Sequence, residues 1–119
     1  MEPDLAAVVH RYDEVWAEHD VARRREILDE IWTANTIYLD PDVPDGLVGP
    51  DALVDFIETT LKEYPGFVVT ATSEVAVLRD RAWYRWRQTS ADGQAADGVD
   101  FIEFDADGRI LRLTGWYDS

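Results

Sequence analysis

The chain contains no cysteine and few basic residues, with 11 Lys and Arg against 25 Asp and Glu in 119 residues, a formal charge of -14. Without thiols there is no disulfide, no thiolate metal site and no cysteine nucleophile, so the fold must stand on packing alone. The shortage of positive charge makes nucleic acid and anionic membrane surfaces poor partners. Long apolar runs are missing too. Nothing approaches the roughly 20 residues of a membrane-spanning helix, and the N-terminus lacks the basic-then-apolar pattern of a leader. The expectation is a cytoplasmic protein with no nucleic-acid and no membrane partner. His10 and His19 lie nine residues apart and face different directions on one helix, so no metal constellation stands out and no cofactor is expected. What is abundant is aromatic side chain: five Trp, five Tyr and four Phe. Rings of this bulk suit a core or the wall of a ligand cavity.

At this length residues 1–119 are expected to form a single domain with one core and a modest pocket. Leu5, Val8, Val9, Tyr12 and Trp16 follow helical spacing, which predicts an amphipathic helix starting after Pro3 or Asp4. A second helix is predicted from Asp20, a good N-cap, to about Ala34 or Asn35, with Ile27, Leu28, Ile31 and Trp32 inward and Arg23, Arg24 and Glu30 largely off that face. Thr36 to Leu39 reads as a short strand stopped by Asp40-Pro41, and the Pro- and Gly-rich stretch from Asp40 to Gly49 reads as a loop. Pro50 opens a third helix with Leu53, Phe56, Ile57, Leu61 and Tyr64 on one stripe, closed by Pro65-Gly66. From Phe67 the period becomes alternating, in four strand-like runs separated at Arg79-Asp80, Asp92-Gly93 and Asp107-Gly108. Helices followed by strands argue for an α+β fold, three N-terminal helices gathered on one face of an antiparallel sheet.

The inward face depends on the turn at Asp92-Gly93. A three-residue loop with Gly93 left-handed pairs Ser90 with Gln94 and sets Tyr84 opposite Asp100 and Trp86 opposite Gly98. A two-residue turn would instead bring Trp83, Arg85 and Arg87 beside Asp100. The first register is preferred, because it keeps the arginines toward solvent and turns Tyr84, Trp86, Asp100, Ile102 and Phe104 inward. In the last strand Leu111, Leu113, Gly115 and Tyr117 are expected to join them, leaving Ile110, Arg112, Thr114 and Trp116 on the other face. Asp100 is then an acid among apolar neighbours, where desolvation raises its pKa. Tyr12 on the first helix and Asp40 at the mouth of the loop are the other polar residues on otherwise apolar surfaces.

Helix, helix, Tyr38-Leu39-Asp40-Pro41, a Gly-Pro helix and a meander ending in the run from Val99-Asp100-Phe101 to Gly108-Arg109-Ile110 make the chain resemble the nuclear transport factor 2-like superfamily. Within it, the polyketide-cyclase-like (SnoaL-like) and ketosteroid-isomerase-like proteins are the nearest in pattern. The resemblance implies a strongly curved sheet wrapped around three helices as a cone-shaped barrel with a pocket, a homodimer through the outer sheet face, and an apolar small-molecule ligand. It also implies site roles. Asp40 matches the proton-shuttling base, Tyr12 one oxyanion donor and Asp100 a second, protonated donor; in a cyclase Asp100 would itself be the acid/base. Such chemistry removes a proton next to a carbonyl and must meet the resulting enolate oxygen with donors in a dry site. Trp16, Phe56, Tyr84, Trp86, Ile102, Leu113 and Tyr117 are expected to line the substrate pocket. The epoxide hydrolases of this superfamily use an Arg-x-Asp strand motif; the strand here reads Arg85-Trp86-Arg87, which disfavours that activity.

Each of the three polar residues also has a simpler reading. Asp40 could be a turn-forming Asp before proline, Asp100 a structural acid bonded to Tyr84 or another tyrosine, and Tyr12 a stripe aromatic with a satisfied hydroxyl. The alternative function is accordingly a non-catalytic module that binds a small ligand or dimerises.

Overall fold

The structure, a computed structural model, describes residues 3–118. Helix α1 (Leu5–Ala17) starts where the Asp4 carboxylate accepts from the Ala7 amide at 3.1 Å, and α2 (Val21–Ile31) where Asp20 does the same for Ala22 and Arg23. These caps satisfy amides that a helix start leaves unpaired. Helix α3 (Pro50–Glu63) has no side-chain cap. It begins with Pro50 in the first turn behind Gly49 at φ 84, with Asp51 near its positive end and Lys62 near its negative one.

Helix α2 ends at Ile31, three to four residues earlier than the sequence predicts, because Trp32 already belongs to β1 (Trp32–Asp40). Thr36 explains the early switch. Its buried hydroxyl accepts from the Thr33 amide at 2.8 Å and donates to the Ile110 carbonyl at 2.6 Å, tying the segment into the sheet. The predicted loop after Asp40 also holds a strand, β2 (Val43–Val48), antiparallel to β1. Pro44 and Gly46 are compatible with it because β2 is the sheet's edge.

The remaining strands are β3 (Val68–Ala71), β4 (Ala76–Leu78), β5 (Arg81–Thr89), β6 (Ala95–Phe104) and β7 (Ile110–Tyr117). They form one seven-stranded sheet in the order β2-β1-β7-β6-β5-β3, with β4 also on β5. The fold class is α+β with three helices on the sheet, as expected, but two details change. The sheet is mixed, since β1 runs parallel to β7, and it is not closed into a barrel. Local patterning cannot reveal a parallel pairing between segments more than seventy residues apart.

The preferred register at the Asp92-Gly93 turn is the one observed. Ser90 N–H donates to the Gln94 carbonyl at 3.0 Å, Gly93 has φ 87, and Tyr84 faces Asp100 while Trp86 faces Gly98. The concave sheet face therefore carries rows across β5, β6 and β7: Ala82, Ile102 and Leu113; Tyr84, Asp100 and Gly115; Trp86, Gly98 and Tyr117. Leu111 departs from its expected inward place: it is about half exposed and Ile110 is buried instead, because the pairing with β6 shifts register there, Glu103 facing Arg112 and Phe104 facing Ile110. Val9, Tyr12 and Val15 of α1, Ile27, Leu28 and Ile31 of α2, and Leu53 and Ile57 of α3 bury the helix side of the core.

Arg24 departs from its expected place off the apolar face: it is fully buried. Its guanidinium donates to the Val15 carbonyl at 3.0 Å, to the Glu18 carbonyl and to Glu58. One side chain thus satisfies carbonyls at the end of α1 and joins α2 to α3. A buried charge is tolerated only with partners of this kind.

Candidate functional site

The row Ala82–Ile102–Leu113 is closed over by the helices, and the next two rows are not. There a cavity of about 630 Å³ opens between the concave sheet, α1 and α3, well within the size range of small-molecule sites. Of the ten residues expected at the site, Tyr12, Trp16, Asp40, Phe56, Tyr84, Trp86, Asp100 and Tyr117 line this cavity. Ile102 and Leu113 sit one row deeper, fully buried in the core, and do not line it. The helices already cover that row.

Glycines give the cavity its shape. A Cβ at Gly98 would lie 2.3 Å from Trp86 Cζ2 and 2.4 Å from the Trp116 carbonyl, so a bare α-carbon is what lets the Trp86 indole lie across β6. A Cβ at Gly115 would stand 2.8 Å from Asp100 Oδ1 and 3.7 Å from the Asp40 Cβ. The two acids therefore flank one small opening, close enough for a ligand a few atoms wide to touch both.

Asp100 is 8% exposed. Its Oδ1 accepts from Trp86 Nε1 at 2.9 Å, and its Oδ2 lies 3.1 Å from Tyr84 Oη. Burial pushes its pKa up to about 7; donation from Trp86 opposes that rise, as does donation from Tyr84 whenever its hydroxyl turns from Asp13, and the charges of Asp13 and Asp40 add to it. Asp40 is held differently. Its Oδ1 accepts from the amides of Asp42 at 2.7 Å and Val43 at 3.1 Å, and its Oδ2 accepts from Tyr38 Oη at 2.7 Å. The turn-forming reading of Asp40 is thus realised in the same side chain that lines the cavity. Tyr12 Oη accepts from Trp16 Nε1 at 2.8 Å, and no acceptor for its own proton lies among the described residues. Burial, and next the Asp100 charge, hold the Tyr12 and Tyr84 hydroxyls well above the usual tyrosine value; burial does the same first for Tyr38. All three remain donors at neutral pH.

Tyr38, Asp13 and Asp42 belong to the site's surroundings without having been singled out in the sequence. Tyr38 sits two residues before Asp40 on the same strand face, a spacing that could have suggested the pair. Asp42 accepts from Tyr117 Oη at 2.9 Å. Asp13 accepts from Tyr84 Oη at 2.7 Å across 71 residues of chain, for which there is no local signal. Among the described residues no group of three or more His, Asp or Glu side chains converges as it would around a metal ion.

The sequence profile of the SnoaL-like domain matches residues 9–113. No curated protein matches the chain. Among solved structures, a candidate isomerase of the SnoaL-like family from Agrobacterium tumefaciens superposes with a TM-score of 0.85 at 27% identity, over 95% of this chain and 96% of that one. An NTF2-like protein of unknown function from Mesorhizobium loti gives 0.75 at 26% identity, over 99% and 98%. A candidate ketosteroid isomerase from Kribbella flavida gives 0.74 at 22% identity, over 97% and 78%, a likeness of fold alone. With the profile spanning most of its length and the helix-and-sheet architecture matching, the chain belongs to the SnoaL-like family.

Proposed function

We propose that the cavity binds a small, largely apolar molecule bearing a carbonyl and shifts a proton next to that carbonyl without a cofactor, as an isomerase, cyclase or dehydratase would. The reading is carried by Asp100, a nearly buried carboxyl at the cavity wall with a pKa pushed up to about 7. Such a group takes and returns a proton at neutral pH, which is the requirement for a general acid/base. Both Asp100 oxygens already face Trp86 and Tyr84, which favours Asp100 as the acid/base over Asp100 as a donor to the oxyanion. Tyr12, with its proton free, is the better oxyanion donor. Asp40 is the second carboxylate beside the ligand. Asp40, Asp42, Glu63 and Asp100 line the cavity and, among the described residues, no Lys, Arg or His does, so the ligand is neutral or positively charged and anions are repelled.

Trp83 and Trp116, about half exposed, stand on the convex sheet face; this is the surface we propose for a homodimer. A non-catalytic binding module is the second reading, favoured by the turn that Asp40 serves. Proton exchange separates the two. Cyclic ketones incubated with the protein in D₂O should lose their α-proton signal in ¹H NMR, and Asp100→Asn should slow that loss by about 100-fold. Ketone binding without exchange in the wild type would favour the module.

A further inference from the structure

Tyr84 has one hydroxyl proton and faces two carboxyls. Its Oη lies 2.7 Å from Asp13 Oδ1 and 3.1 Å from Asp100 Oδ2. A phenol donates once, so donation along the shorter leg leaves Tyr84 as an acceptor toward Asp100. The longer leg is then favourable only when Asp100 carries a proton on Oδ2. If Asp100 is ionised, either two acceptors confront each other or Tyr84 must turn away from Asp13.

We infer that Asp13 is a positioning and proton-relay residue, which acts through Tyr84 to fix the proton on Asp100 Oδ2 and to connect the cavity with solvent beside α1. The inference rests on the reading of Asp100 as the acid/base. Asp13 is half-buried and is not a cavity-lining residue, whereas Asp100 is on the wall. The relay therefore leads out of the site on the side away from the cavity. In the outward direction the Oδ2 proton moves to Tyr84 Oη as the Tyr84 proton moves to Asp13 Oδ1, and Asp13 releases it to water, which leaves Asp100 ionised. A ligand C–H next to the carbonyl then gives its proton to the Asp100 carboxylate at Oδ1, and its electron pair passes into the enolate. One proton leaves the ligand and one reaches solvent; the reverse sequence returns one. Burial raises the Asp13 pKa as well, and the Tyr84 bond opposes that rise.

The groups facing this relay are Tyr12 and His10 from α1, Trp86 from β5, and Asp40 and Tyr38 from β1. His10 bears on Asp13 by charge, so His10→Gln serves as the control. The test is a ¹³C NMR titration of aspartate carboxyls in the full chain without ligand. In the wild type, the Asp13 and Asp100 carbons should each show both titration steps, as coupled sites do. Asp13→Asn should lower the Asp100 midpoint by about one pH unit, because a like charge is lost and the neutral amide oxygen competes less well than a carboxylate for the Tyr84 proton, which then turns to the ionised Asp100. In a Tyr84→Phe background the same substitution should produce less than half that shift. An equal shift in both backgrounds, or wild-type carbons that titrate independently, would overturn the relay. A wild-type Asp100 midpoint near 7 with no coupling to Asp13 overturns the relay and leaves the acid/base reading standing, whereas an Asp100 midpoint near the usual carboxylate value overturns both.

Discussion

Trp86 Nε1 donates to Asp100 Oδ1 at 2.9 Å, and the bond exists because the residue that Trp86 crosses on the neighbouring strand is Gly98. The indole does two things at once: it forms cavity wall and it holds one oxygen of the acid. Removing its N–H removes a donor to the ionised form of Asp100, so the pKa must rise. Trp86→Phe is expected to move the Asp100 midpoint above about 7 in a ¹³C titration, and Gly98→Ala to do the same by displacing the ring. An unchanged midpoint in both would show that the bond has no electrostatic weight.

Asp100 should also cost the protein stability at alkaline pH. Its folded-state pKa of about 7 lies above the usual 3.8, so the folded chain binds more protons than the unfolded chain between those values. Stability then falls as pH rises through that window, by up to about 4 kcal/mol for the full shift. Asn has the shape of the protonated acid: its oxygen can accept from Trp86 and its amide can donate to Tyr84. Asp100→Asn is therefore expected to melt well above the wild type at pH 8 and close to it at pH 4. Equal differences at both pH values would contradict the shift.

Arg24 and Arg23 are neighbours in sequence with opposite fates. Arg24 is fully buried with three acceptors, whereas Arg23 is exposed and pairs with Glu26 one turn on. Truncating Arg24 strands the Glu58 carboxylate and two carbonyls near the end of α1, so Arg24→Ala should lose about 3 kcal/mol. Arg23→Ala should stay within about 0.5 kcal/mol. Urea denaturation of the two variants checks the contrast.

Gly115 separates Asp40 from Asp100 by carrying no side chain. A methyl there would press on Asp100 Oδ1 and occupy the opening between the acids. Gly115→Ala is expected to cut ketone binding, followed by tryptophan fluorescence, by at least about tenfold while far-UV circular dichroism stays native. Unchanged affinity would place the ligand elsewhere in the cavity.

At -14 per chain, two copies repel each other. If the convex face with Trp83 and Trp116 is the homodimer surface, screening should strengthen association. Sedimentation should show a larger dimer fraction at 0.5 M than at 0.05 M salt, and Trp83→Glu should abolish it. A monomer at both salts would remove the dimer.

Much of this arrangement is readable in the sequence, for identifiable reasons. The Asp92-Gly93 turn fixes a register, and that register puts Tyr84 beside Asp100 and Trp86 beside Gly98 by counting. Helical spacing likewise sends Tyr12 inward. The unread parts depend on distant partners. Arg24 lies in a run of three arginines, and nothing local distinguishes the one that meets Glu58, 34 residues away. Strand β2 hides behind Pro44 and Gly46, because an edge position removes the penalties that make those residues strand breakers. Ile102 and Leu113 share the inward face with Asp100 and Gly115, but only the placement of the helices over the sheet decides which row is core and which is cavity. Asp13 reads as one more acid on an acidic helix until Tyr84 is folded against it.

The most direct test of Asp100 as the acid/base is its carboxyl midpoint, read as the ¹³C titration of the wild type minus that of Asp100→Asn. A midpoint near 7 is expected. A midpoint near 4, the ordinary aspartate value, would contradict it.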